Sequence, residues 1–230
     1  MKFNSHYIWE SGSVEKPNPV SVVLQQVKLK HCRCLLACVC DGSKSGDEAM
    51  CVSGYFTERL VEWFHRQCIP KLQNLCWNEG VQCLLECELS AIQAELEEYG
   101  VRKNAVIKYD ISGMIIYEEI FCYFSMGENR GYLFNRRFNK KQCRDLNKCL
   151  LGKEKHDQIQ LVQGTLQRDV AVLIGNSSFG ANILSEEMIE VLFEEKLADK
   201  EIKKRLKELW SADIERGQKG YAGAVFFRTE

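Results

Sequence analysis

Leu35-Leu36-Ala37-Cys38-Val39-Cys40-Asp41-Gly42 is the segment around which the rest of this chain is organised. Six apolar residues run without a break and stop at an Asp-Gly pair. A run that short, bounded by a turn signal, reads as a buried strand. The polar stretch Ser43 to Asp47 follows, and then a long amphipathic segment begins. In an enzyme, such a strand would deliver its terminal carboxylate to a site at the sheet end. The functional question is which partners Asp41 finds there.

Upstream, Met1 to Val39 reads as strands. Lys2 to Trp9 is short and aromatic, Gly12 to Pro19 is a polar loop, and Val20 to Lys28 is β-branched. Downstream, Gly46 to Gln67 has helical apolar spacing through Met50, Val52, Tyr55, Phe56, Leu60, Val61 and Phe64, and Pro70 is expected to break it. Val81 to Tyr99 repeats the pattern, with Gly100 as its expected stop. Strands are expected over Ala105 to Tyr109, Met114 to Ile120, Phe121 to Met126 and Gly131 to Phe134, punctuated by Asp110, Gly113 and Gly127. Arg136 to Lys148 reads as a basic, irregular piece. Gln158 to Gly164 and Asp169 to Ile174 read as strands. Ser185 suits the N-cap of a helix reaching Leu197, with Glu186 and Glu187 favourable in its first turn. A charged helix is expected over Asp199 to Glu215, and a closing strand over Lys219 to Arg228. Runs of strands separated by runs of helices argue an α+β fold, with sheets covered by helices.

The chain has 230 residues, which suits one domain over 1–230. Its net charge of -1 provides no field for nucleic acid. The apolar runs are too short to span a membrane, and the start lacks a signal-peptide pattern. A cytoplasmic location is the expectation.

Twelve cysteines are unusual. Disulfides are not expected in a reducing compartment. Cys32, Cys34, Cys38 and Cys40 lie on even positions of one strand, spread along a face at ~6.6 Å per two residues. They cannot converge on one zinc ion, and the sequence has no C-x-x-C pair. They read as small buried hydrophobes. The histidines His6, His31, His65 and His156 are scattered, and no G-x-G-x-x-G or Walker A pattern occurs.

Four stretches together resemble the PPM-type (protein phosphatase 2C-like) metal-dependent serine/threonine phosphatases, the bacterial form in particular. Val39-Cys40-Asp41-Gly42 resembles that family's strand ending in Asp-Gly. Met126-Gly127-Glu128-Asn129-Arg130-Gly131-Tyr132-Leu133 resembles its Gly-Asp-Ser-Arg-x-Tyr-Leu strand pair. Leu166 to Ser178, with Leu184-Ser185-Glu186-Glu187-Met188-Ile189, resembles its Ser-Asp-Gly turn and following helix. Gly220 to Arg228 resembles its final strand. The resemblance implies an α-β-β-α sandwich, two mainly antiparallel sheets flanked by helix pairs.

It also implies a centre of two Mn(II) or Mg(II) ions held by Asp carboxylates and a Gly carbonyl, which activate water and clamp phosphoryl oxygens. Asp41 and Gly42 match the first ligand pair. The other positions are degenerate. The Arg-x-x-Asn-Glu-Asp motif falls on Glu15, Lys16, Pro17, Asn18, Pro19 and Val20, so the phosphate-binding Arg becomes Glu15 and both carboxylates are lost. The Asp of Ser-Asp-Gly falls on Asn176, or on Ser177 or Ser178. The last ligand falls on Gly220. One carboxylate cannot offset the dehydration of two divalent cations.

The expected function is therefore that of a pseudophosphatase, with no catalytic residue and Asp41 and Gly42 as a vestigial metal site. It would act by binding a protein partner, a phosphoprotein or a kinase, in phospho-signalling. The basic piece and the charged helix are the candidate surfaces. No cofactor is expected beyond a weak Mn(II) or Mg(II) ion at Asp41, where Asp47 or Glu48 would lend a second carboxylate. The alternative is a divergent but active metal-dependent phosphatase, with Asp169 as a further ligand.

Overall fold

Strand β3 (Arg33–Asp41) is buried from Cys34 to its end. It pairs antiparallel with β2 (Val20–Lys28) on one side and β4 (Asp110–Tyr117) on the other. With β5 (Ile120–Met126) and β8 (Gln160–Thr165) these form a five-stranded sheet in the order β2-β3-β4-β5-β8. The other sheet is built from β1 (Phe3–Ser11), β6 (Arg130–Arg137), β7 (Lys140–Asp145), β9 (Val170–Gly175) and β10 (Tyr221–Thr229). Its order is β1-β10-β9-β6-β7, and every pairing is antiparallel. The computed structural model describes residues 2–11, 17–74, 79–137, 140–149, 158–167, 170–180, 199–215 and 220–229.

The alternation of side chains along β3 explains why the whole strand is apolar. Leu35, Ala37 and Val39 face the second sheet and pack with Met114, Ile116, Val172, Ile174 and Val225. Cys34, Leu36, Cys38 and Cys40 face the other way, into a layer containing Phe56, Leu60, Leu89 and Ile92. The even-numbered cysteines thus line one face as buried apolar groups, and all three are free thiols.

That outer layer comes from α1 (Ala49–Trp63) and α3 (Glu79–Lys103). Val52, Phe56, Leu60 and Trp63 make the buried stripe of α1, and Val81, Leu85, Leu89, Ile92 and Leu96 that of α3. Spacings of three and four residues keep each stripe on one helix face. Arg59 links the two helices through Glu88 at 3.4 Å and Glu95 at 3.2 Å. The second sheet is covered by α4 (Ser177–Gly180) and α5 (Asp199–Glu215), whose Phe179, Ile202, Leu206 and Trp210 pack on Ile8, Phe134 and Phe226. The chain thus forms the α+β sandwich that the sequence implies. No helix among the described residues is long and apolar enough to cross a membrane.

Several local expectations are corrected. Pro70 does not break the first helix. The chain passes through a π-turn at Phe64–Cys68, where the Ile69 N–H reaches Phe64 O, and continues as α2 (Ile69–Asn74). Widening the turn before the proline relieves the clash its ring makes with the carbonyl four residues back. Gly100 is not the stop of α3. Asn104, at φ 50°, ends it, with Ala105 N bonded to Gly100 O and Asn104 N to Val101 O. That is the paired-bond cap in which a left-handed residue closes the helix.

Ala105 to Tyr109 is not a sheet strand. Ser45 Oγ donates to Lys108 O at 2.6 Å and accepts from Lys108 N at 2.9 Å. These bonds hold the segment to a 3-10 stretch at Ser43–Glu48, which replaces the start expected for the first helix. Arg136 to Lys148 is not irregular. It continues β6 to Arg137, forms β7 and ends in a 3-10 turn at Asn147–Cys149. A charged sequence is tolerated in β7 because it is a sheet edge. The helix expected from Ser185 to Leu197, and Glu15, Lys16, His156 and Asp169, lie outside the described residues.

Candidate functional site

The candidate site lies where β3 ends. Asp41 is buried and is register partner to Val20 on one side and Asp110 on the other. Cross-strand pairing therefore sets the two carboxyl groups side by side, a relationship that sequence spacing does not reveal.

Neutral donors occupy both oxygens of Asp41. Oδ1 accepts from the Ser43 backbone N–H at 2.9 Å, and Oδ2 from Asn176 Nδ2 at 2.9 Å. Asn176 is fully buried at the end of β9. Its Nδ2 also donates to Tyr221 O at 2.8 Å, and its Oδ1 accepts from Gly223 N at 3.1 Å and Phe179 N at 3.4 Å. Two backbone N–H donors at Oδ1 fix which way the amide points, so its NH2 faces Asp41.

Asp110 has a different partner. Lys44 Nζ lies 2.8 Å from Asp110 Oδ2 and 3.2 Å from Oδ1, and 3.1 Å from Glu128 Oε2. Burial pushes the Asp110 carboxyl up from its ordinary value. The Lys44 hydrogen bond and charge pull it back, while Asp41 and Glu128 add to the rise. Partial burial works against the Lys44 charge, but its bonds to Asp110 and Glu128 prevail and its pKa is raised. Asn129 donates Nδ2 to Val39 O at 3.1 Å and Asp110 O at 3.0 Å, tying β3 to β4. Gly127, at φ +80°, lets the chain pass so close that an added Cβ would stand 1.9 Å from Asp110 Oδ1.

The positions singled out from sequence gather around this point to different degrees. Gly42 follows Asp41 directly. Its N–H donates to Pro19 O at 3.1 Å, and its carbonyl accepts from Ser45 N at 2.8 Å. Asn18 Oδ1 accepts from Val20 N at 2.9 Å, and its Nδ2 donates to Glu10 O at 3.0 Å. Pro19 and Val20 are buried beside the strand end. Asn176 touches Asp41 itself. Ser177 opens α4, and Gly220 lies against Ser178. Asp47 and Glu48 lie in the 3-10 stretch, and Glu48 bonds the Tyr99 hydroxyl. Glu15 is outside the described residues. Lys44, Asn129 and the role of Asp110 escaped the sequence reading. The Asp41–Asp110 register, which only the folded sheet provides, is the signal that exposes all three.

A pair of hard divalent cations needs several free oxygen donors. Here both Asp41 oxygens accept N–H bonds, the Asn176 amide presents its NH2, the Gly42 carbonyl is taken, and an ammonium covers Asp110. Among the described residues, this donor set does not fit a two-ion centre. Among the described residues, no group of three or more His, Cys, Asp or Glu side chains is placed to hold a metal ion.

No family model matches the sequence, and no curated protein matches it. Solved structures do match. The chain is similar to the Streptococcus (S.) agalactiae serine/threonine phosphatase, with a TM-score of 0.76 at 12% identity over 100% of both chains. It is similar to the serine/threonine phosphatase Stp1 from Staphylococcus aureus, with a TM-score of 0.72 at 14% identity over 100% of this chain and 96% of that one. It is also similar to the catalytic domain of the serine/threonine protein phosphatase PstP in complex with 2 manganese ions, with a TM-score of 0.72 at 14% identity over 98% and 97% of the two chains. Two antiparallel five-stranded sheets between helices, matched over the full length, give this chain the fold of the bacterial PPM-type serine/threonine phosphatases.

Proposed function

We propose that this chain is a pseudophosphatase, a phosphatase-fold domain that works in the cytoplasm by binding a protein partner rather than by hydrolysing phosphate. One observation carries the reading. The strand-end site is closed on itself, with Asp41 bonded by Ser43 and Asn176 and Asp110 by Lys44. A phosphoryl group brings negative charge to such a site. Metal ions would have to supply the compensating positive charge, and the donors they need are engaged. The partner class is a phosphoprotein or a kinase in phospho-signalling. Exposed Tyr7, Trp9 and Met50 line an open groove of about 610 Å³ beside β2 and α1, which supports contact with another protein.

An assay with a generic aryl phosphate in millimolar Mn(II), run beside calorimetric Mn(II) titration, tests the reading. No turnover and no binding heat are expected. Metal-dependent turnover that disappears in Asp41→Ala would overturn it.

The adjacent Asp41 and Asp110 favour a second reading, a divergent but active metal-dependent phosphatase. Crystals grown with Mn(II) separate the two. Ions about 4 Å apart beside these carboxylates would establish the second reading.

A further inference from the structure

Three carboxylates gather where β3, β4 and the β5–β6 turn meet: Asp41, Asp110 and Glu128. Asp41 is stabilised by neutral donors. Asp110 and Glu128 share one positive group, the ammonium of Lys44, at 2.8 Å and 3.1 Å. Asp110 is 6% exposed at its side chain, so its charge has little help from water and needs a cation.

We propose that Lys44 is the resident cation of this site. Its ammonium stands in for a divalent ion at the strand ends, and while it is there the carboxylates cannot take one up. The placement is built rather than incidental. Asp41-Gly42 turns the chain, Ser45 is held by Lys108, and Gly46 at φ +58° turns it again before α1 begins. Lys44 lies in the middle of that pinned segment. On the other side, Gly127 brings the Glu128 turn onto Asp110, with no room for a Cβ. The Asp110 partner of the ammonium is therefore set by backbone geometry, while Glu128 reaches it from a side chain that is 57% exposed. The ammonium is covalently tethered beside its carboxylates, unlike an ion from solution. It competes at a high effective concentration.

The consequence is that removing Lys44 uncovers an oxygen site for a single ion. Asp110 and Glu128 would be its direct ligands, with Asp41 as the neighbouring charge. The inference rests on the closed-site reading proposed above, but its test measures ion occupancy rather than hydrolysis. An inactive protein whose Lys44 variant gains no ion would overturn this inference alone. Metal-dependent turnover in the unmodified protein would overturn the earlier reading as well.

The test is calorimetric titration of Mn(II) into the full chain and into Lys44→Ala. The variant is expected to bind one Mn(II) at least about tenfold more tightly than the unmodified protein, a difference of about 1.4 kcal/mol. Adding Asp110→Asn to the variant should remove that gain. Equal affinity in the unmodified and Lys44→Ala proteins would overturn the proposal. Lys44→Met keeps the methylene stem and carries the same test if Lys44→Ala does not fold. In the unmodified protein, Mn(II) should leave the amide resonances of Gly127 and Glu128 sharp. Paramagnetic broadening of both would also overturn the proposal.

Discussion

The side-chain amide of Asn176 and the carboxylate of Asp41 meet at 2.9 Å across the gap between the two sheets. Asn176 directly follows β9, and Asp41 ends β3. This bond joins the two sheets at the candidate site, and it presents an N–H where a metal centre would present an oxygen.

Asn176→Ala leaves Asp41 Oδ2, Tyr221 O and Gly223 N without their partner. Each buried polar group left unsatisfied costs about 1–3 kcal/mol. Water entering the space offsets part of that sum, so a net loss of about 3 kcal/mol is expected. Urea denaturation measures it. Asn176→Asp differs in kind, because it puts a second carboxylate against Asp41. The like charge raises the new carboxyl's pKa, so stability is greatest at low pH and falls as pH rises through it. Mn(II) should raise the melting temperature of Asn176→Asp and leave that of the unmodified protein unchanged.

Gly42→Ala tests the turn itself. An added Cβ would stand 2.0 Å from the Ala49 carbonyl oxygen, a backbone atom that cannot rotate away. The start of α1 would have to shift. Overpacking of this kind costs about 1–3 kcal/mol, and a backbone obstacle places it at the upper end. Thermal unfolding by circular dichroism checks it.

The buried thiols contribute to the alkaline limit of the fold, together with the buried Tyr109, Tyr123 and Tyr132. Burial raises Cys34, Cys38 and Cys40, and pushes Cys68 and Cys122 up to about 12. A group whose folded pKa is raised contributes stability below its unfolded value and loses it as pH climbs to the folded value. Stability is therefore expected to hold up to the ordinary thiol value of 9.0 and to fall between there and about 12. Each buried thiol steepens the fall by about 1.4 kcal/mol per pH unit. Chevron or melting data across that window test the slope. With an aromatic disulfide reagent at neutral pH, Cys51, Cys83, Cys87 and Cys143 should react first, and the buried five only on unfolding.

Much of the fold was legible because it is local. The continuous apolar run of Leu35 to Cys40 marks a buried strand, and its even-numbered cysteines mark one face of it; that this face meets the helices is seen only in the fold. The three- and four-residue spacing of Val52, Phe56 and Leu60 marks α1. Misreadings came where a tertiary bond overrode a local preference. Ser45 holds Lys108 and keeps Ala105 to Tyr109 out of the sheet. The π-turn before Pro70 absorbs a proline that would otherwise end the helix. Pairing with β6 turns a basic stretch into edge strand β7.

At the site, residue identities alone establish that Asp41 ends a buried strand and that Asn18, Pro19, Val20, Asn176 and Gly220 offer it no second carboxylate. Chemical identity at each position is enough for that. Which groups touch follows from the folded chain. Asp110 stands beside Asp41 through strand register, and Lys44 and Glu128 meet on Asp110 through two glycine-bearing turns. The Asn176 amide faces Asp41 because two backbone N–H groups hold its oxygen the other way. Distances between residues far apart in the chain depend on how sheets pair and pack, and electrostatic balance depends on those distances. The charge on Asp41 was readable from one letter, and the charges that answer Asp110 required the fold.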